Sequence, residues 1–216
     1  MNIFVETISL DDIRRATASG FADGIVITGN VDTSSSEGRE VIEGIAHEFA
    51  IPVCVEVGAI NGDDMYREAR EIAKISDHII IQLPLVEDAV VPMHRLSLEG
   101  VGVCANFVFN GAQAVLAAKA GASMIRVSLA DLDAQGQTST DAVTEIRSLL
   151  EASDCECDVM VASPANATQF TECVSAGAQI ISIRPEVLNS LLLHPLTDRG
   201  LDRFLNGLSK RPKVRD

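Results

Sequence analysis

The stretch His78-Ile79-Ile80-Ile81-Gln82-Leu83 is apolar almost throughout, and Gly102-Val103-Cys104-Ala105-Asn106 repeats the pattern one helix-length further on. A strand covered by helices on one face and by packed side chains on the other has no solvent face. It therefore reads as a continuous apolar run rather than an alternating one. Six more such runs occupy residues 3–6, 24–28, 52–57, 124–129, 158–163 and 179–184. They recur about every 20 to 35 residues, each followed by a longer segment with helical spacing, which is the mark of βαβ units. Eight such units in 216 residues predict an α/β fold, a single (β/α)8 TIM barrel with an additional C-terminal helix. A doubly wound open sheet is the alternative.

Helix signals fall between the runs. Ser9 with Asp12, Asn110 with Gln113, and Asn166 with Gln169 each place a capping side chain three residues before a reciprocal partner. Gly20, Gly121 and Gly177 sit shortly before the next strand, where short αβ loops use a left-handed residue. No low-complexity linker divides the chain, so residues 1–208 are expected to form the barrel together with its final helix. Beyond strand eight, a short helix is predicted over 185–193 and an amphipathic one over 196–208, leaving 209–216 as a basic, disordered tail.

The 31 acidic and 17 basic residues give a formal charge of −14, which repels nucleic acid and anionic lipid. Neither is an expected partner. A solvated, self-repelling surface accounts for the acidity, and growth in high salt is another cause. The N-terminal residues Met1-Asn2-Ile3-Phe4-Val5-Glu6 show no basic segment followed by a long apolar one, and no apolar stretch of about 18 residues occurs, so a soluble, cytoplasmic protein is expected. Five cysteines, Cys54, Cys104, Cys155, Cys157 and Cys173, show no zinc-type CxxC pair. Cys54 and Cys104 read as core, the four histidines show no metal-ligand spacing, and no metal or cofactor is expected.

In a barrel, chemistry collects at the carboxyl ends of the strands, because the βα loops there vary freely while the helical shell supplies stability. That rule selects Glu6, Thr28, Asn30, Glu56, Gln82, Asn106, Ser128, Asp131, Ser163, Asn166 and Arg184. Glu6 and Glu56 end strands one and three. As unpaired carboxylates in a semi-enclosed mouth they would suit acid–base work; alternatively each bonds a loop or an arginine such as Arg184.

Glu6-Thr7 after the first run, Gln82-Leu83-Pro84 after the fourth, Asn106-Phe107-Val108-Phe109-Asn110-Gly111-Ala112-Gln113-Ala114 after the fifth, and Asp133-Ala134-Gln135-Gly136 beyond the sixth resemble the transaldolase and fructose-6-phosphate aldolase family. The resemblance spans almost the whole chain. It implies a lysine at the end of strand four that forms a Schiff base with a ketose; the matching residue here is Gln82. It implies an aspartate after strand one, matched by Glu6, and a water-activating glutamate, matched by Glu56. The threonine of the fifth-strand motif is matched by Asn106 and the aromatic position of strand six by Ser128. The phosphate-holding arginine is matched by Asp131, and a basic residue after strand seven falls among Ala165, Asn166, Ala167 and Thr168. Ser163 remains as a hydroxyl donor, and Arg184 stands either as an anion ligand or in a structural ion pair.

A carboxamide nitrogen is not a nucleophile, since its lone pair is delocalised, so Gln82 forms no imine. The sequence therefore predicts a diverged acid–base enzyme of carbohydrate metabolism in which Glu6 and Glu56 are catalytic. Thr28, Asn30, Gln82, Asn106, Ser128, Ser163 and Arg184 would bind a small, uncharged, sugar-like or carbonyl substrate. The alternatives are a non-catalytic binding scaffold and a conventional aldolase or transaldolase. The resemblance also implies a homo-oligomer, a ring of five or ten, in which the 196–208 helix crosses a neighbour.

Overall fold

The protein is described by a computed structural model covering residues 1–28 and 31–209. Asn30 and the basic residues from Lys210 onward lie outside the described residues.

The first half of the chain runs β1 (Asn2–Glu6), α1 (Leu10–Ala18), β2 (Gly24–Val26), α2 (Ser36–Glu48), β3 (Val53–Glu56), α3 (Gly62–Ala73), β4 (Ile79–Pro84) and α4 (Glu87–Leu98). The second continues through β5 (Gly102–Asn106), α5 (Gly111–Lys119), β6 (Met124–Ser128), α6 (Leu129–Ala134), α7 (Ser139–Ala152), β7 (Asp158–Ala162), α8 (Ala167–Ser175), β8 (Ile180–Ile183), α9 (Pro185–Ser190) and α10 (Pro195–Ser209). All eight strands are parallel, and β8 pairs back onto β1 through Asn2 opposite Ile180, which closes the barrel. The expected (β/α)8 architecture is therefore the observed one.

The three capping pairs act as the sequence predicts. Ser9, Asn110 and Asn166 accept from the backbone N–H groups of Asp12, Gln113 and Gln169. Gln113 and Gln169 reach back to the N–H groups of Phe109 and Ala165, each at 2.8–2.9 Å. Gly20, Gly121 and Gly177 all have positive φ. Beyond β6 the chain forms the short helix α6, which Ser128 caps by accepting from Asp131 N.

Side-chain alternation divides the core. Residues facing outward join the helices in one large apolar cluster. Facing inward, Phe4, Val26, Cys54, Cys104, Met124, Met160 and Ile180, with Ile80 packed against them, form a separate apolar floor, one residue from each strand. Because a strand returns to the same face every second residue, the tier above the floor is Glu6, Thr28, Glu56, Gln82, Asn106, Arg126, Ala162 and Ser182. Every member except Ala162 is polar.

Candidate functional site

Glu6, at the end of β1, is 5% exposed and fully engaged. Its Oε1 accepts from Arg126 Nη2 at 2.9 Å and from Ser182 Oγ at 2.6 Å, and its Oε2 accepts from Ser163 Oγ at 2.5 Å. The expectation of an unpaired carboxylate is thus corrected, and the arginine that meets it is Arg126 rather than Arg184. Ser163 follows the last residue of β7, so strict alternation would aim it at the helical shell. Its φ of 54° turns the chain into the left-handed region and brings the hydroxyl inward. Such a conformation costs a non-glycine residue about 1–2 kcal/mol, which the charge-assisted bond to Glu6 offsets.

Above the floor lies a cavity of about 160 Å³ lined by Val26, Ile27, Thr28, Val31, Thr33, Val55, Glu56, Gln82 and Arg126. Glu56 is exposed at its rim and Thr28 is half-buried. Gln82 is 2% exposed. Among the described residues, neither Gln82 Nε2 nor Arg126 Nε has a hydrogen-bond partner. A buried donor left without an acceptor costs roughly 1–3 kcal/mol. Burial pushes the Cys104 thiol up to about 12, against the opposing pull of the Arg126 charge and of the Gln82 side chain beside it. The floor under the cavity is therefore neutral.

The loops that shape the cavity are fastened by a residue outside it. Glu68, on α3, accepts from Gly58 N at 3.1 Å and Ala59 N at 2.9 Å, and from the Thr33 hydroxyl. Arg39 Nε donates to Thr33 O at 3.1 Å. The β2–α2 and β3–α3 loops are thereby joined at one carboxylate.

The remaining sequence-selected residues divide. Asn106 is buried in the same tier, its Oδ1 4.0 Å from Cys104 Sγ. Ser128 is half-buried and occupied in capping α6. Ser163 reaches the tier but spends its hydroxyl on Glu6. Arg184 does not join the group: it is exposed at the N-cap of α9, with its Nε 3.9 Å from Glu186 Oε1. Asp131 is exposed on α6. Arg126, Ser182, Thr33 and Glu68 were not anticipated from sequence. The first two were findable, because they share the inward parity of their strands with Met124 and Ile180. A larger hollow of about 520 Å³, lined by Ser123, Arg147, Cys155 and Gln179 among others, opens at the amino ends of the strands, away from the polar tier. The variable βα loops lie at the other end, which is where barrels of this kind bind ligands.

The fold and site together define a closed parallel (β/α)8 barrel with a polar tier and a small cavity at its carboxyl end. The chain belongs to the transaldolase/fructose-6-phosphate aldolase family, whose model matches residues 6–212. It is 36% identical to a probable transaldolase of Petrotoga mobilis over 213 residues, 97% of this chain and 96% of the relative. A probable transaldolase of Bdellovibrio bacteriovorus is 32% identical over 216 residues, 99% and 100% of the two chains. One from Methanococcus maripaludis is 34% identical over 208 residues, 95% and 96%. The family belongs to carbohydrate metabolism. Among the described residues no helix is long and apolar enough to cross a membrane.

Proposed function

We propose that the cavity above the barrel floor takes a short, uncharged carbonyl or polyol compound and handles it by acid–base chemistry without a lysine imine. The observation that carries this reading is Gln82, buried at the end of β4 at the position where the family resemblance implies the Schiff-base lysine. Within the described residues the lysines are Lys74, the C-cap of α3, and Lys119, the last residue of α5, both exposed on the helical shell. Lys210 and Lys213 lie outside the described residues.

Glu56 is the proton-transfer group in this reading, since it lines the cavity and its side chain is free to meet water. Glu6 holds Arg126 in place. Thr28 and Gln82 contact the ligand directly, and Asn106 supports them from the same tier. The substrate is uncharged because Asp131 stands where the resemblance implies a phosphate-holding arginine, and Arg184 faces solvent. A second reading, conventional transaldolase activity on a sugar phosphate, is favoured by the identity of 32–36% to probable transaldolases over nearly the full chain.

Two measurements separate the readings. Incubation with dihydroxyacetone or fructose 6-phosphate and borohydride, followed by intact mass, is expected to leave the protein unmodified; a covalent adduct would establish the conventional reading. Ligand-dependent melting, in which a compound that binds the folded state raises its stability by mass action, is expected to respond to neutral sugars and small ketones. A response confined to phosphates would overturn the uncharged substrate, and silence throughout would favour a non-catalytic scaffold.

A further inference from the structure

The ion pair between Arg126 of β6 and Glu6 of β1 joins strands that are not neighbours, so it runs across the barrel interior. In a closed ring ordered β1 to β8, a chord from β6 to β1 leaves β7 and β8 on one side and β2 to β5 on the other. The cavity keeps to the second side. Among the described residues it is lined by β2 and the loop after it, by Val55 and Glu56 of β3, by Gln82 of β4, and by Arg126 itself as the shared wall. The polar groups of the first side are spent behind that wall: Ser163, which follows β7, and Ser182 of β8 both donate to Glu6. Arg126 is thus held by a charge-assisted bond to a carboxylate that is itself held twice, which makes it a fixed partition rather than a side chain free to swing.

We propose that the Arg126–Glu6 bar sets the length of the ligand, by confining the cavity to the β2–β5 side and excluding any chain that would have to extend into the β7–β8 side. This rests on the reading that the cavity takes a short uncharged carbonyl or polyol compound, and it assigns the residue that makes the ligand short. The volume agrees with it. About 160 Å³ is roughly half the low end of the ~300–1,000 Å³ usual for ligand pockets. Dihydroxyacetone suits such a space, whereas an open-chain pentose or hexose ketone would run into Arg126. The exclusion is by bulk, because Glu6 neutralises the guanidinium charge at 2.9 Å. Beyond the bar lie the hydroxyls of Ser163 and Ser182, which a longer polyol would meet if Arg126 were shortened.

The test is ligand-dependent melting of the full chain against hydroxyacetone, dihydroxyacetone, erythrulose, ribulose and fructose. In the parent, apparent affinity is expected to fall by at least about 10-fold from dihydroxyacetone to ribulose, the scale on which a pocket rejects groups it has no room for. Glu6→Gln/Arg126→Ala removes the bar without leaving a charge unpaired, and is expected to bring ribulose and fructose level with dihydroxyacetone. Glu6→Gln/Arg126→Met removes the same charges but keeps the bulk, and is expected to go on rejecting the longer ketones. A parent that binds fructose as tightly as dihydroxyacetone would overturn the proposal, and that series decides even where the alanine variant does not fold. A methionine variant that gains the longer ketones would overturn it too, by placing the exclusion on charge. If dihydroxyacetone binds the parent and the folded alanine variant gains nothing, the bar falls and the cavity reading stands. If the parent binds no ketone while the alanine variant binds the longer ones, the cavity reading falls and the bar stands; if neither protein binds any, both fall.

Discussion

Glu6 and Arg126 show how much one pairing changes the meaning of a residue. A carboxylate at the end of β1 reads as an acid–base group until the guanidinium from mid-β6 is placed against it. Once paired, it becomes a positioning residue. Glu6 has 3% and Arg126 24% of its side chain exposed, so neither charge is well solvated. Removing one partner of a buried pair leaves the other charge uncompensated, which typically costs 3–5 kcal/mol. Glu6→Gln is therefore expected to lower the unfolding free energy by about 3 kcal/mol in a denaturant titration, and adding Arg126→Met should recover part of that loss. A Glu6→Gln protein as stable as the parent would mean that the pair contributes nothing to the fold. The signal for Arg126 was present in Met124-Ile125-Arg126-Val127-Ser128: a charge two residues past an inward-facing methionine must face inward too. Its partner was not readable, because Glu6 and Arg126 are 120 positions apart.

Among the elements, α2 and α3 fix the cavity wall. The first turn of α2 packs so closely on the preceding loop that a Cβ on Gly38 would lie 2.1 Å from Asp32 O. The obstacle is backbone, which cannot rotate aside. Gly38→Ala is expected to cost about 1–3 kcal/mol, the usual scale of overpacking. It should also weaken any ligand-induced rise in melting temperature, since Asp32 to Ser35 carries Thr33 into the cavity lining. A variant that melts and binds like the parent would show that the loop has slack. The starts of α1, α5 and α8 were legible, because a cap and its partner lie three residues apart. The Glu68 clasp was not, because one carboxylate on α3 serves two loops that meet only in the folded barrel.

On the scale of the whole molecule, α10 presents large apolar side chains to solvent. Leu196, Leu201, Phe204 and Leu205 are each more than half exposed, and Leu192 and Leu193 just before it are as open. A row of large apolar side chains of this kind marks an interaction surface. The helix is expected to lie across a second copy of the chain. Truncation after Leu191 should reduce the mass measured by light scattering to that of a smaller assembly while the barrel's far-ultraviolet spectrum persists. A full-length chain that runs as a monomer would refute this. The charge of −14 sets no partner by itself, but it makes association sensitive to salt, because self-repulsion between copies is screened beyond about 10 Å at 0.1 M.

The sequence alone determined the alternation of eight strands with helices. Continuous apolar runs, helical spacing between them and local caps are properties of neighbouring residues, whereas it is the pairing of β8 with β1 that closes the barrel rather than leaving an open sheet. The sequence also placed Gln82 in the carboxyl half of β4. Only the tertiary structure decided which charges meet and which donors remain unmatched. Those depend on the shear with which the strands close, which brings β6 against β1 across the barrel interior and leaves Gln82 Nε2 and Arg126 Nε without acceptors among the described residues. Local chemistry fixes the elements, and long-range register fixes the site.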